Sequence, residues 1–109
     1  MTETIASTPQ PPYYAVIFTS IRTDVDAGYA EAARRMLELA EQQPGYLGTE
    51  SAREELGITV SYWRDLDSIQ HWRNNTEHAE ARNKGRSVWY DSFRVRICKV
   101  EKEHGIPTQ

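Results

Sequence analysis

ITVSYWRDLDSIQHWRNNTEHAEARNKGRSVWY, residues 58–90, is the stretch whose reading decides the fold. It opens on an alternation of period two, with Ile58, Val60 and Tyr62 facing one way and Thr59, Ser61 and Trp63 the other, which reads as a strand. Asp65 is placed to cap a short helix in which Leu66, Ile69 and Trp72 recur at threes. Asn74, Asn75 and Thr76 interrupt that pattern, and Thr76 is placed to cap a second helix reaching about Tyr90. Gly85 inside this helix costs about 1 kcal/mol relative to Ala, which points to a close packing contact there. The stretch holds all three tryptophans, two of the three histidines and two of the six tyrosines.

The flanks supply the rest of the plan. Upstream, residues 13–21 (YYAVIFTSI) are β-branched and aromatic and lie between prolines and a polar turn, so they read as a strand. Both of its sides are largely apolar, which predicts cover on both faces. Over residues 26–43 the period changes: Tyr29, Ala32, Ala33, Met36, Leu37 and Ala40 form a helical stripe. Asp24 or Asp26 is available as its cap, and Pro44–Gly45 ends it. Residues 46–53 are weakly strand-like, and the polar connection 53–57 carries a glycine as hairpins do. Downstream, residues 92–101 set Phe93, Val95 and Ile97 against Arg94, Arg96, Cys98 and Val100. The order strand, helix, strand, strand, helix, strand predicts an α+β fold, the ferredoxin-like βαββαβ plan with a four-stranded antiparallel sheet and its helices on one face.

That plan leaves the other face of the sheet uncovered. Depending on register, it would carry residues such as Tyr14, Val16, Phe18, Tyr62 or Trp63. Burying each is worth roughly 1.5–3 kcal/mol, so a second copy packed sheet to sheet is the expected remedy. The alternative is a monomer whose face is covered by the long side chains of Arg94, Arg96 and Glu50.

Composition narrows the rest. A chain of 109 residues with 39% hydrophobic and 27% charged residues suits one domain. The expected boundaries are a mobile tail at 1–12, a folded unit at 13–103 and a second tail at 104–109. A net charge of -3 with interspersed signs gives no reason to expect nucleic acid or a membrane surface as partner. No apolar run approaches the roughly 18 residues of a membrane span, and residues 1–12 lack the features of a signal peptide. The single cysteine, Cys98, fits a reducing compartment, so a cytoplasmic protein is expected.

For chemistry, the second helix of the central stretch aligns His78, Ala81, Arg82, Gly85 and Trp89 on one continuous face. A His and an Arg in a core-facing stripe need partners or water if buried. One reading is a pocket between helix and sheet whose cations orient an acidic or phenolic ligand. The other is that His78 bonds locally at the helix start while Arg82 pairs with a carboxylate. Trp72 is core or the wall of a cavity. Tyr62 and Tyr90 carry phenols able to donate to a bound oxygen atom, or are structural. His71 is expected to be solvated and His104 lies in the tail. There is no CxxC, no HExxH and no phosphate loop, and a metal site would require His71, His78 and a carboxylate to converge without recognisable spacing.

The pattern YW-(x8)-W-(x5)-H at Tyr62, Trp63, Trp72 and His78, preceded by PGYLG and followed by Trp89–Tyr90 and a closing strand, resembles the antibiotic biosynthesis monooxygenase superfamily. The likeness covers about residues 13–103 and implies a dimeric α+β barrel. It also implies an oxygenase needing no metal, flavin or haem, in which a small phenol, quinol or anthrone loses a proton and its anion passes an electron to O2. On that model His78 or Arg82 offsets the anion's charge, Tyr62, Trp72 and Trp89 shape the cavity, and Tyr90 donates a hydrogen bond. A second branch of the superfamily degrades haem with a first-strand Asn, a Trp and an iron-binding His. Here Trp72 matches that Trp, but residues 13–21 contain no Asn and the ligand position falls on Arg82, which stays protonated and does not ligate iron. A non-catalytic, small-molecule-binding or stress-related homodimer is the remaining alternative.

Overall fold

The computed structural model describes residues 4–106. Its elements run β1 (Tyr13–Arg22), α1 (Tyr29–Glu41), β2 (Tyr46–Arg53), β3 (Leu56–Trp63), α2 (Leu66–Arg73), α3 (Thr76–Lys84), a π-helical turn (Gly85–Trp89) and β4 (Tyr90–Val100). The four strands form one sheet in the order β2-β3-β1-β4, every neighbouring pair antiparallel. This is the expected ferredoxin-like α+β architecture.

Register assigns the faces. Tyr14 pairs with Trp63, Val16 with Ser61 and Phe18 with Thr59, so these residues share one side of the sheet. That side receives the helices: Trp63, fully buried, packs with Ala40 of α1 and Ile69 of α2, and Tyr14, Val16, Tyr46 and Trp72 close around them. Of the five residues expected on the uncovered face, four therefore lie beneath the helices, and only Tyr62 faces outward. Both sides of β1 are apolar, so its composition could not reveal which side the helices would take. The outer face instead carries Ile17, Ile21, Leu56, Ile58 and Val60, of which Ile21, Leu56 and Ile58 are exposed.

Local signals account for the element ends, with several corrections. The cap of α1 is Gly28, whose φ of 80° is left-handed, rather than Asp24 or Asp26; Asp26 contributes its carbonyl to the Tyr29 N–H. Gly45 (φ 82°) turns the chain out of α1, and a Cβ there would lie 2.0 Å from Ser68 Oγ. Leu56 and Gly57 belong to β3, so the hairpin turn is only Glu54–Glu55. Asp65 caps α2 as expected, its Oδ1 accepting from the backbone N–H (2.8 Å) and hydroxyl (2.7 Å) of Ser68. These bonds hold its carboxyl below the usual carboxylate range.

Thr76, expected as the cap of α3, is that helix's first residue, and the cap is Asn75, whose Oδ1 accepts the His78 N–H at 3.0 Å. Regular helix stops at Lys84. Residues Gly85–Trp89 form a π-turn and Tyr90 already lies on β4, not on the helix. Gly85 opens that turn; the close contact expected of it lies outside the described residues.

Residues 4–12 lie along the outer face. The Ala6 N–H donates to Glu50 Oε2 (2.9 Å), and a Cβ on Gly48 would come within 2.9 Å of the Ala6 Cβ. Thr8 Oγ1 bonds to the Tyr13 hydroxyl (2.9 Å) and to Glu103 Oε1 (2.8 Å), and the Tyr13 hydroxyl also donates to Glu103.

Candidate functional site

The β3–α2 connection brings three rings into line. Trp63 stacks on Trp72 with centroids 6.2 Å apart, and Trp72 stacks on the His78 imidazole at 4.2 Å and 8°. The His78 ring is fixed twice over: Asn75 caps its backbone, and its Nδ1 sits 3.0 Å from the Trp72 carbonyl oxygen. A carbonyl only accepts, so Nδ1 carries the proton and the Nε2 of the neutral ring carries the lone pair. Burial, opposed by the bond to Trp72 but reinforced by Arg82 and Arg73, pushes the His78 pKa below the ordinary imidazole value.

One turn further on, Arg82 shows the other half of the arrangement. Its Nε is buried with no hydrogen-bond partner among the described residues. Burial and the like charges of Arg73 and Arg86 lower its pKa, although a guanidinium remains protonated throughout the physiological range. Three cations from α2, α3 and the π-turn thus act on one another, and among the described residues no ion pair joins Arg82 to a carboxylate, as the alternative reading would have it. Glu77 of α3 pairs with Arg35 of α1 at 2.8 Å in a half-exposed ion pair.

α3 packs against α1, α2 and the π-turn. Along β4 the helix side of the sheet is left partly open. Phe93, Val95 and Ile97, which pair with Ser20, Phe18 and Val16 on the helix side of the sheet, are 39, 41 and 50% exposed. The helix side of the sheet thus carries both an exposed apolar strip on β4 and a helix with a lone-pair nitrogen and a guanidinium whose Nε has no hydrogen-bond partner among the described residues. Two open grooves elsewhere, one along α1 and one beside the β2–β3 hairpin, include neither His78 nor Arg82.

The remaining expected site residues do not join this group. Tyr62 is on the opposite face of the sheet, where its hydroxyl donates to Glu50 Oε1 (2.7 Å) and its ring meets Tyr13 edge-on. Burial first, and Glu50 second, raise its pKa well above the ordinary phenol value. Trp89 fails to continue the His78–Arg82 face because the π-turn breaks the helical period before it. Its buried ring packs edge-on against Tyr29, and its Nε1 donates to the Ala27 carbonyl (3.2 Å).

Tyr90 lies near the apolar strip: its ring meets Phe18 (5.2 Å) and Phe93 (6.2 Å), and its hydroxyl donates to Tyr29 at 3.2 Å. Burial and that bond raise its pKa, against the lowering by Arg53 and Arg22. With the Tyr90 proton engaged, the hydroxyl of this pair that is free to donate outward belongs to Tyr29, which the sequence offered only as part of a helical stripe. Arg73 and Asn75 were also passed over. Asn75 was legible in principle, since Asn caps helices as well as Thr does.

Among the described residues no group of three His, Cys, Asp or Glu side chains converges as a metal site, and no helix is long and apolar enough to cross a membrane.

Comparison with known proteins places this geometry in a family. Residues 12–84 match the family model described as antibiotic biosynthesis monooxygenase. The uncharacterized protein YqjZ of Bacillus subtilis (strain 168) is 55% identical over 105 residues, spanning 94% of this chain and 92% of its own length. Among solved structures, a mutant of SnoaB, a cofactor-independent oxygenase from Streptomyces nogalater, superposes with a TM-score of 0.72 at 12% identity, over 84% of this chain and 95% of its own. Rv0793 from Mycobacterium tuberculosis gives 0.75 at 11% identity over 85% and 99%. At such identities the superpositions speak for the fold, while the family model speaks for descent. The chain belongs to the antibiotic biosynthesis monooxygenase family.

Proposed function

We propose that this protein is a cofactor-independent monooxygenase that oxidises a small aromatic substrate of the phenol, quinol or anthrone type with O2. The observation that carries the reading is the buried Nε of Arg82, without a hydrogen-bond partner among the described residues, beside a His78 whose pKa is lowered. A donor left unsatisfied in apolar surroundings is a standing free-energy cost, and a ligand oxyanion removes it. The substrate ring lies over Val95 and Ile97 with Trp72 as a wall, and Arg82 offsets the charge that develops on its oxygen. The Tyr90–Tyr29 hydroxyl pair stands at the far end of the apolar strip. SnoaB, a cofactor-independent oxygenase of the same fold, supports the reaction class.

The working unit in this reading is a cytoplasmic homodimer packed through the outer sheet face. Exposed Ile21, Leu56 and Ile58 support this, since apolar side chains clustered on one face favour a second copy. The test is oxygen consumption by metal-stripped protein across a panel of phenols and quinols. Uptake that disappears in the His78→Ala, Arg82→Ala double variant supports the proposal, and uptake that persists unchanged removes it.

A second reading, a small-molecule-binding homodimer without turnover, rests on the His78–Trp72 and His78–Asn75 bonds, which tie the histidine to the backbone around it. Tight binding of the same panel with no oxygen uptake would favour it.

A further inference from the structure

We infer that His78 is the proton acceptor of this site: its Nε2 takes the hydroxyl proton of a bound phenol or quinol while Arg82 pairs with the oxyanion left behind. The inference rests on the pocket reading above and separates two cations that the sequence treated as interchangeable. In the transfer the substrate O–H bond breaks, an Nε2–H bond forms and the electron pair stays on oxygen, with no change of oxidation state.

The assignment follows from the fixed tautomer. The Trp72 carbonyl commits Nδ1–H to donation, so the neutral ring has its only available lone pair at Nε2. Nε2 has no protein partner among the described residues. Stacking on Trp72 at 4.2 Å and 8° sets the ring plane, and the Asn75 cap sets its position along α3, so Nε2 points in one direction without help from a ligand.

Charge then divides the labour. The charged groups acting on His78 are Arg82 of its own helix and Arg73 of α2, both positive. They favour the neutral imidazole in the empty site, which is what a base requires. A neutral imidazole cannot serve as the counter-ion, whereas Arg82 is a permanent cation whose buried Nε–H has no partner among the described residues. When the substrate oxygen becomes negative it offsets the field of Arg82, and the imidazolium is no longer opposed. Proton transfer and anion binding are therefore coupled.

The experiment uses the full-length protein and 4-nitrophenol, whose phenolate absorbs visibly, buffered below the probe's own pKa. Binding is read by tryptophan fluorescence quenching, ionisation by the phenolate band, and the histidine by long-range 1H–15N NMR. Three results are expected together: quenching, growth of the phenolate band, and His78 changing from a ring protonated at Nδ1 alone to one protonated at both nitrogens. His78→Asn keeps an amide donor near the Nδ1 position but removes Nε2. It should still quench, with the phenolate band reduced about tenfold, one pKa unit of lost driving force. Arg82→Gln should weaken binding by a similar factor.

A bound phenolate beside a His78 that keeps its single proton, or an undiminished band in His78→Asn, overturns the assignment and leaves the pocket standing. Absence of quenching in the unsubstituted protein overturns both.

Discussion

On the outer face of the sheet Glu50 engages both carboxylate oxygens, one with the Tyr62 hydroxyl and the other with the Ala6 N–H, and Glu103 accepts from Tyr13 and Thr8. On the helix side the pattern reverses: among the described residues Arg82 Nε is buried without a partner and one ring nitrogen of His78 has none. The surroundings of the two regions are similarly aromatic, so the contrast lies in how their polar groups are satisfied. A surface whose polar groups are already paired with its own chain is prepared for adhesion, because little remains to be desolvated when another surface arrives. A site whose polar groups lack partners is prepared for a ligand that supplies them. On the function proposed above, the helix side is where the chemistry belongs and the outer side is where a second copy would pack.

Substitutions that attack each side separately test this division, and the largest expected effect is on the core that supports the site. Trp63 is fully buried, stacks on Trp72 and meets Tyr46 edge-on, so Trp63→Ala should lower unfolding free energy by about 3–5 kcal/mol in urea titration. Ile58→Ala on the outer face removes a side chain that is 41% exposed in the isolated subunit. Its effect should be well under half as large in dilute protein and should grow with protein concentration as a second copy covers it. Equal losses at all concentrations would count against that cover.

The pH dependence sharpens the comparison next. His78 has a folded pKa below its unfolded value of about 6.5, so the folded state binds fewer protons. Its contribution is fully present above that unfolded value and is lost as pH falls through the depressed folded one. Urea titrations at neutral and mildly acidic pH should show this loss in the unsubstituted protein and a flatter profile in His78→Asn. On the outer face Glu103 is also held low, by Tyr13 and Thr8, so its contribution disappears only at more acidic pH, through the carboxylate range. Identical profiles for the two proteins would mean that His78 is not kept neutral.

The smallest effect concerns residues 4–12. Gly48→Val places a side chain against Ala6 and should displace the segment, breaking the Ala6–Glu50 bond. The expected loss is about 1 kcal/mol, with faster amide exchange at Ala6 and little change at α3.

Much of this was legible in the chain itself. The alternation at residues 58–63 and the stripe from Tyr29 to Ala40 gave strand and helix because each period reports one buried side. The outward face of β1 was not legible, since Tyr13, Ala15 and Ile17 are as apolar as Tyr14, Val16 and Phe18, and only the pairing of Tyr14 with Trp63 decides between them. The joint placement of Tyr62 and Trp72 failed for a related reason. Adjacent residues on a strand point to opposite sides, so Tyr62 and Trp63 cannot both meet α2.

At the end of α3 the expected run of a single period through Trp89 was broken by a π-turn, which no spacing of side chains announces. His78 and Arg82 were legible as polar intrusions in an apolar stripe. That one is tied to a carbonyl while the Nε of the other has no partner among the described residues depends on how the α2–α3 corner closes.

Oxygen uptake measured side by side in two single variants tests the account most directly. Arg82→Gln removes the guanidinium with its unpaired Nε from the helix side, and Tyr13→Phe removes a fully engaged hydroxyl from the outer side. With a phenol or quinol that the unsubstituted protein consumes, Arg82→Gln should fall about a hundredfold, as when one preorganised donor to an oxyanion is lost, while Tyr13→Phe keeps its rate. Undiminished uptake in Arg82→Gln, or a collapse in Tyr13→Phe alone, would contradict the placement of the chemistry beneath α3.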